Sequence, residues 1–190
     1  MQEALEKFYE WFELAKADEK EPTAMSLATV GDGGKPSLRT VLLKAADERG
    51  FVFYTNETSR KGRELEQNPH AALCFYWPSI GRQVRIEGAV ERVSQDEADA
   101  YFATRLHHSQ IGAWASKQSA PLANEAELKQ RFAKYEKKFG AGPVPRPPFW
   151  GAYRVVPTRL EFWTVGEFRL HERVLFEIQG GVWKESLLFP

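Results

Sequence analysis

Leu5, Phe8, Phe12 and Ala15 recur at spacings of three and four with charges between them, which predicts an amphipathic helix at the start of the chain. Glu21-Pro22 ends it, because the residue before a proline avoids helical angles. Alternation of period two then takes over. Residues 24–30 and 37–43 read as strands around the turn Gly31-Asp32-Gly33-Gly34, and residues 51–55 follow a second turn at 47–50. Residues 59–67 predict a short helix closed by Asn68-Pro69, and further strands fall at 71–76 and 82–93.

Ser94-Gln95-Asp96-Glu97 is a capping box, hydroxyl and carboxylate each satisfying a free N–H, and it opens a helix expected to reach about Leu106. Residues 111–124 carry no period and read as irregular. Leu128, Phe132, Tyr135 and Phe139 restore the helical period over 125–139, with Gly140 placed to cap it. After the stiff run Pro143–Pro148, strands return at 151–156, 159–165, 168–178 and 182–188, the last two joined by Gly180-Gly181. Strands joined by short hairpins, with helices as insertions, favour a mainly β fold: an antiparallel barrel with peripheral helices, one domain over 1–190.

Composition narrows the function. Twenty-six Lys and Arg balance 26 Asp and Glu, so a nucleic-acid binder that lives on phosphate neutralisation is not expected. No apolar run approaches the ~20 residues of a membrane span, and the acidic N-terminus lacks the basic-then-apolar plan of a secretory signal. The single cysteine, Cys74, cannot form an internal disulfide, which suits a reducing, cytoplasmic setting. Gly34-Lys35 is followed by Pro36 where a phosphate loop needs Ser or Thr, so that stretch is a hairpin.

Four constellations carry candidate chemistry. In Arg39-Thr40-Val41-Leu42-Leu43-Lys44 the two cations stand five apart and face opposite sides of a strand, so each would serve a different anion. Ser59-Arg60-Lys61 places cations in the first turn of a helix, unfavourable against the helix dipole unless an anion binds there. Tyr101, Arg105 and Ser109, each four apart, would share one helix face and offer phenol, guanidinium and hydroxyl to a phosphate. Arg169, His171 and Arg173 alternate along an expected strand and would stack three potentially cationic groups on one face, a repulsion that an anionic or electron-rich ligand relieves.

These constellations, with FVFYTNETSRKGRELEQNP at 51–69, RQVRIEG at 82–88, YFATR at 101–105, SQIGAWASKQS at 109–119, FWGAYRV at 149–155, EFW at 161–163 and RLHER at 169–173, resemble the pyridoxamine/pyridoxine 5′-phosphate oxidase family along nearly the whole chain. The resemblance implies an antiparallel split β-barrel homodimer with FMN at the subunit interface. It also implies oxidation of phosphorylated B6 vitamers to pyridoxal 5′-phosphate, with O2 consumed and H2O2 released. FMN contacts implied by the motifs are Arg39, Thr40, Val41, Leu42, Leu43, Lys44, Tyr54, Thr55, Arg60, Lys61, Gln83, Gln118, Ser119, Trp163 and Arg173. Substrate contacts implied are Lys44, Tyr101, Arg105, Ser109, Arg169 and His171, the last two also in the catalytic role of holding the reacting carbon against the flavin. No metal is expected.

Two departures stand out. Only twenty residues precede Glu21, where family members often carry a longer arm that helps close the site, so closure is expected to differ. The chain ends Leu187-Leu188-Phe189-Pro190, without the arginine that family members often place near the end. A flavin enzyme of the same fold acting on a phenazine-pathway substrate, and a vitamer carrier without turnover, are the competing readings.

Overall fold

The computed structural model describes residues Met1–Pro190. Nine strands form one sheet, every pairing antiparallel, in the order β2-β1-β5-β6-β7-β4-β3, with β8 on β7 and β9 on β8. The strands are β1 (Ala24–Val30), β2 (Pro36–Leu42), β3 (Ala45–Asp47), β4 (Gly50–Asn56), β5 (His70–Trp77), β6 (Arg82–Arg92), β7 (Trp150–Thr164), β8 (Glu172–Gln179) and β9 (Val182–Leu187). The helices are α1 (Gln2–Asp18), α2 (Arg60–Gln67), α3 (Gln95–Ala103), α4 (His107–Ala115) and α5 (Glu125–Phe139).

The two ends of that strand order, β2 and β3, are consecutive in the chain. Leu43 and Lys44 join them, the Leu43 N–H donating to Thr23 beside β1 and the Lys44 N–H donating to Val52 on β4. The sheet therefore curls until its ends meet, as the expected barrel requires. Lys44 sits on that seam.

The core fills the curl. α1 buries Ala4, Phe8, Trp11 and Ala15, while Leu5 and Phe12 of the predicted stripe are only partly covered. Phe8 meets Phe51 edge-on at 5.0 Å and Trp11 meets Phe162 at 5.2 Å, and the helix face shares one apolar cluster with β1, β4, β5, β6, β7 and β8. Truncating Phe8 to alanine is expected to cost about 3–5 kcal/mol, as for other buried aromatics.

Three expectations need correction. Residues 151–156 and 159–165 are one strand, β7, which runs through a bulge between Glu87 and Gly88 of β6, where Pro157 faces Gly88 and Thr158 is the extra residue. Gly88 is needed there, since a Cβ would lie 2.0 Å from the Val156 carbonyl oxygen. Helix α4 occupies part of the stretch that reads as irregular, ending only at Ala115. Finally, residues 168–171 are not strand: Glu167–Arg169 form a tight turn in which Phe168 (φ 55°) and Arg169 (φ 66°) are left-handed, and β8 begins at Glu172. Arg169, His171 and Arg173 thus do not alternate along one strand face.

Candidate active site

A cavity of about 560 Å3 opens between the β2–β3 seam, β4, the start of α2, and the α3–α4 pair. Three cationic residues, Lys44, Lys61 and Arg105, line it, and no carboxylate does. Thr40, Val41 and Leu42 of β2 line it with Lys44 of the seam; Thr40, Leu42 and Lys44 are exposed, while Ser37, Arg39, Val41 and Leu43 are the more covered alternate positions. Arg39 and Lys44 do face opposite ways.

Lys61 is anchored at the start of α2, whose N-cap is Ser59. Its side chain is buried and its Nζ donates to Thr55 Oγ1 (3.2 Å), Ser59 Oγ (3.3 Å) and Gln118 Oε1 (3.1 Å). Burial, helped by nearby Arg39 and opposed by Glu64, brings its ammonium down to about 8. An anion beside it would restore the ordinary range. Thr55 Oγ1 also donates to Gln118 Oε1 at 3.0 Å, tying β4 to the loop after α4.

Arg39 and Arg60, expected beside Lys61 on the cofactor phosphate, do not line the cavity. Both turn to Glu64, a buried carboxylate that accepts from Arg39 Nη2 (3.0 Å), Arg60 Nε (2.8 Å), Thr29 Oγ1 (2.5 Å) and Ser37 Oγ (2.5 Å). Burial would raise that carboxyl, but these hydrogen bonds from Ser37, Thr29, Arg60 and Arg39 outweigh it and hold it down to about 2.

Tyr101, Arg105 and Ser109 all line the cavity, but not from one helix. α3 stops at Ala103, Thr104 Oγ1 bonds back to the Tyr101 carbonyl (2.8 Å), and α4 starts afresh at His107. Gln110 closes the break by donating to the Phe102 carbonyl at 2.9 Å, one of the orphan groups every helix end exposes. Arg105 lies in the break itself. Its Nη1 is buried without a partner, and burial lowers its basicity. Tyr54 stacks on Tyr101 at 4.0 Å and on Trp150 at 5.1 Å.

Five lining residues are absent from the sequence expectations: Asn56, Gly112, Ala113, Ser116 and Trp150. All five fall inside the quoted motifs, Asn56 in 51–69, Gly112, Ala113 and Ser116 in 109–119 and Trp150, the first residue of β7, in 149–155. Ser119, in the left-handed region (φ 69°), lines a smaller neighbouring hollow, and Leu43 is packed in the core.

The remaining expected residues form a second group that does not border the cavity. Gln83, Trp163 and Arg173 stand in one row across β6, β7 and β8. Arg173 Nε donates to buried Glu161 (2.9 Å) and its Nη1 to the Phe189 carbonyl (2.8 Å). The His171 ring lies 4.6 Å from that of Trp163, and its Nδ1 accepts from the Gly166 N–H at 3.2 Å. A neutral His171 therefore carries its proton on Nε2. Arg169 is exposed at the tip of the turn.

Curled antiparallel sheet, helical insertions and a cation-lined flank define a split-barrel protein. A family model described as pyridoxamine 5′-phosphate oxidase matches residues 5–139, and one described as the pyridoxine 5′-phosphate oxidase C-terminal dimerisation region matches residues 150–190. The chain belongs to the pyridoxamine 5′-phosphate oxidase family. A pyridoxine/pyridoxamine 5′-phosphate oxidase of Myxococcus xanthus is 56% identical over 187 residues, covering 98% of this chain and 91% of the relative. The one from Rubrobacter xylanophilus is 55% identical, covering 98% and 86%. Among solved structures, PhzG from Burkholderia lata 383, in complex with tetrahydrophenazine-1-carboxylic acid, superimposes with a TM-score of 0.91 at 34% identity, covering 96% of this chain and 90% of that one.

Proposed function

We propose that the protein is an FMN-dependent oxidase that converts pyridoxine 5′-phosphate and pyridoxamine 5′-phosphate to pyridoxal 5′-phosphate, consuming O2 and releasing H2O2, the amine also taking up water and losing ammonia. The observation that carries this reading is the cavity lined by three cations and no carboxylate, in which Arg105 has a buried N–H edge without an acceptor. Such a site wants phosphate. Names borne by relatives at about 55% identity point to the same vitamers.

The residues present fit FMN. Lys61, Thr55, Gln118 and the start of α2 offer an ammonium, a hydroxyl, an amide and a helix N-terminus to a terminal phosphate. The cavity volume of about 560 Å3 lies within the range ligand sites occupy. The chemistry that FMN supplies when bound is hydride acceptance from the substrate carbon and electron transfer to O2.

The protein's part is binding and orientation. Lys44, Tyr101, Arg105 and Ser109 would hold the substrate phosphate, fixing one end of the vitamer. The Arg169–Arg173 segment belongs to the stretch matching a dimerisation region, and in a homodimer it would complete the cavity of the other subunit. Arg169 would cover the substrate ring and His171, through Nε2–H, would orient its substituents, holding the reacting carbon at near-attack distance. Gln83, Trp163 and Arg173 would contact the cofactor from that same side.

The test is direct. Protein reconstituted with FMN is mixed with pyridoxine 5′-phosphate and H2O2 is followed by a peroxidase-coupled assay. Stoichiometric H2O2 and pyridoxal 5′-phosphate are expected. Flavin-loaded protein that binds the vitamer without releasing H2O2 would make it a carrier.

A further inference from the structure

Arg105 has no conventional anchor. It lies in the break between α3 and α4, no carboxylate approaches within ion-pair distance, and its guanidinium makes no hydrogen bond within the chain; only its backbone N–H is engaged, donating to the Phe102 carbonyl at 3.2 Å. A flexible side chain in that condition would sample many rotamers, and ordering it on ligand binding would lower affinity. Something else must hold it.

Two aromatic faces do. The guanidinium carbon lies 4.9 Å from the centre of the Trp150 ring and 5.5 Å from that of Phe102. Guanidinium is weakly hydrated and stacks well on indole, and a cation over a ring gains more where water is excluded. The Trp150 ring is itself fixed. It stacks on Tyr54 with the planes 17° apart, meets the Phe102 ring edge-on at 4.9 Å, and is only 6% exposed. Its backbone is held as well, the N–H donating to the Pro147 carbonyl at 3.0 Å.

From this geometry we infer that Trp150 is a positioning residue for phosphate selectivity: it holds the Arg105 guanidinium over its ring and leaves the guanidinium N–H groups without a protein acceptor, ready to bond an anion. A carboxylate would hold the group more firmly but would occupy the donors and cancel the charge. An indole does neither. The inference rests on the reading of Arg105 as the reader of the substrate phosphate, and extends it to what makes that arginine ready.

The experiment uses FMN-loaded protein with Trp150→Phe, Trp150→Leu, Arg105→Leu and the double variant Trp150→Leu/Arg105→Leu. Steady-state kinetics on pyridoxine 5′-phosphate and unphosphorylated pyridoxine give a selectivity ratio of kcat/KM values. Equilibrium dialysis of pyridoxal 5′-phosphate against each flavin-free variant gives binding without turnover. Trp150→Leu is expected to lower the selectivity ratio about tenfold, mainly through KM for the phosphorylated substrate, and to weaken pyridoxal 5′-phosphate binding in parallel. Trp150→Phe, which keeps a π face, is expected to lose about threefold. In the Arg105→Leu background the leucine at 150 should add less than twofold, since there is no guanidinium left to position.

The outcomes separate the two claims. If Arg105→Leu collapses selectivity but both Trp150 variants keep it, the positioning role is wrong and the phosphate reading stands. If Arg105→Leu leaves selectivity intact, the phosphate reading itself falls, and this inference with it. Should Trp150→Leu fail to fold, Trp150→Phe decides alone: a full wild-type ratio and wild-type dialysis would overturn the role.

Discussion

Around Glu64 two guanidinium groups share one buried carboxylate, whereas Arg105, at the cavity, has none. The same residue type is thus used in two ways within one barrel. Arg39 and Arg60 are engaged in the free chain: they share the Glu64 carboxylate, Arg60 through Nε and Arg39 through Nη2, while Arg39 Nη1 donates to Thr29 and to the Leu27 carbonyl. Arg173 behaves likewise, with Glu161 as its partner. Arg105, Lys61 and Lys44 line the cavity with no carboxylate among them, and their charge is available to a ligand. Counting basic residues near a pocket therefore says little about what it binds. Asking which of them already has a counter-charge says much more.

The sharpest way to break this comparison is to remove Glu64. Deleting one partner of a buried pair leaves the other charge uncompensated and typically costs about 3–5 kcal/mol. The exposure of Arg60 argues for the lower end, so Glu64→Ala is expected to lose about 3 kcal/mol of stability, measured by urea unfolding. The pH dependence should change too. The Glu64 carboxyl is lower in the folded chain than in the unfolded one, so its stabilisation is complete above the ordinary carboxylate range and is lost as pH falls towards about 2. That acid-side slope should be shallower in Glu64→Ala. Removing Arg105 should cost at most about 1 kcal/mol, since it abandons no counter-charge and loses only its packing on Trp150 and Phe102. Equal destabilisation by Glu64→Ala and Arg105→Leu would erase the distinction.

Next in size is the effect of Arg105 on the ligand. A hydrogen bond to a charged group contributes about 1.5–3 kcal/mol. Arg105→Leu is therefore expected to raise KM for pyridoxine 5′-phosphate by roughly ten- to hundredfold relative to its effect on pyridoxine, with flavin content near wild type. Steady-state kinetics on both substrates, with flavin absorbance per protomer, checks this. Parallel losses on both would mean that Arg105 supports the ring site or the fold.

Much of this was legible in the chain. The hydroxyl half of the capping box at Ser94 forms, Ser94 Oγ accepting from the Glu97 N–H, while the Glu97 carboxylate accepts from the Ser94 hydroxyl instead of the Ser94 N–H. Gly180-Gly181 turn with both φ values positive (61° and 83°) as a type I′ hairpin requires. The barrel followed from hairpin spacing. What escaped were features that a period cannot carry. The α3–α4 break falls inside a helical pattern and depends on back-bonding by Thr104 and on Gln110, a contact eight residues away. The turn at 167–169 hides in an alternating pattern. It is allowed by Gly166, whose missing Cβ would lie 2.0 Å from the Leu170 carbonyl oxygen. The division of the cations escaped as well, because Glu161 pairs with Arg173 across strands and Glu64 with Arg39 across the barrel. Arg60 and Glu64, four apart on α2, were the local clue.

The smallest effect concerns Lys61, and it tests whether the unbalanced cations respond to ligand as the balanced ones cannot. Burial, with Arg39 adding to it, brings its ammonium down to about 8, although Glu64 pulls the other way. A phosphate placed beside it would favour the protonated form, so binding and proton uptake are linked. Below pH 8 the ammonium is already charged and FMN affinity should be flat. As pH rises past 8 the free protein loses that proton and must regain it on binding, so affinity should fall, approaching tenfold between pH 7 and pH 9. The ligand does not confuse the reading, because the second phosphate ionisation lies near pH 6 and is complete over this range. Glu64 does not either, since its carboxyl is held down to about 2, far below this range. The measurement is quenching of FMN fluorescence by flavin-free protein at fixed ionic strength. Lys61→Arg should bind with a flat profile, its guanidinium being charged throughout. An unchanged slope in Lys61→Arg would assign the titration to another group, and a flat wild-type profile would mean that the cofactor phosphate does not sit beside Lys61.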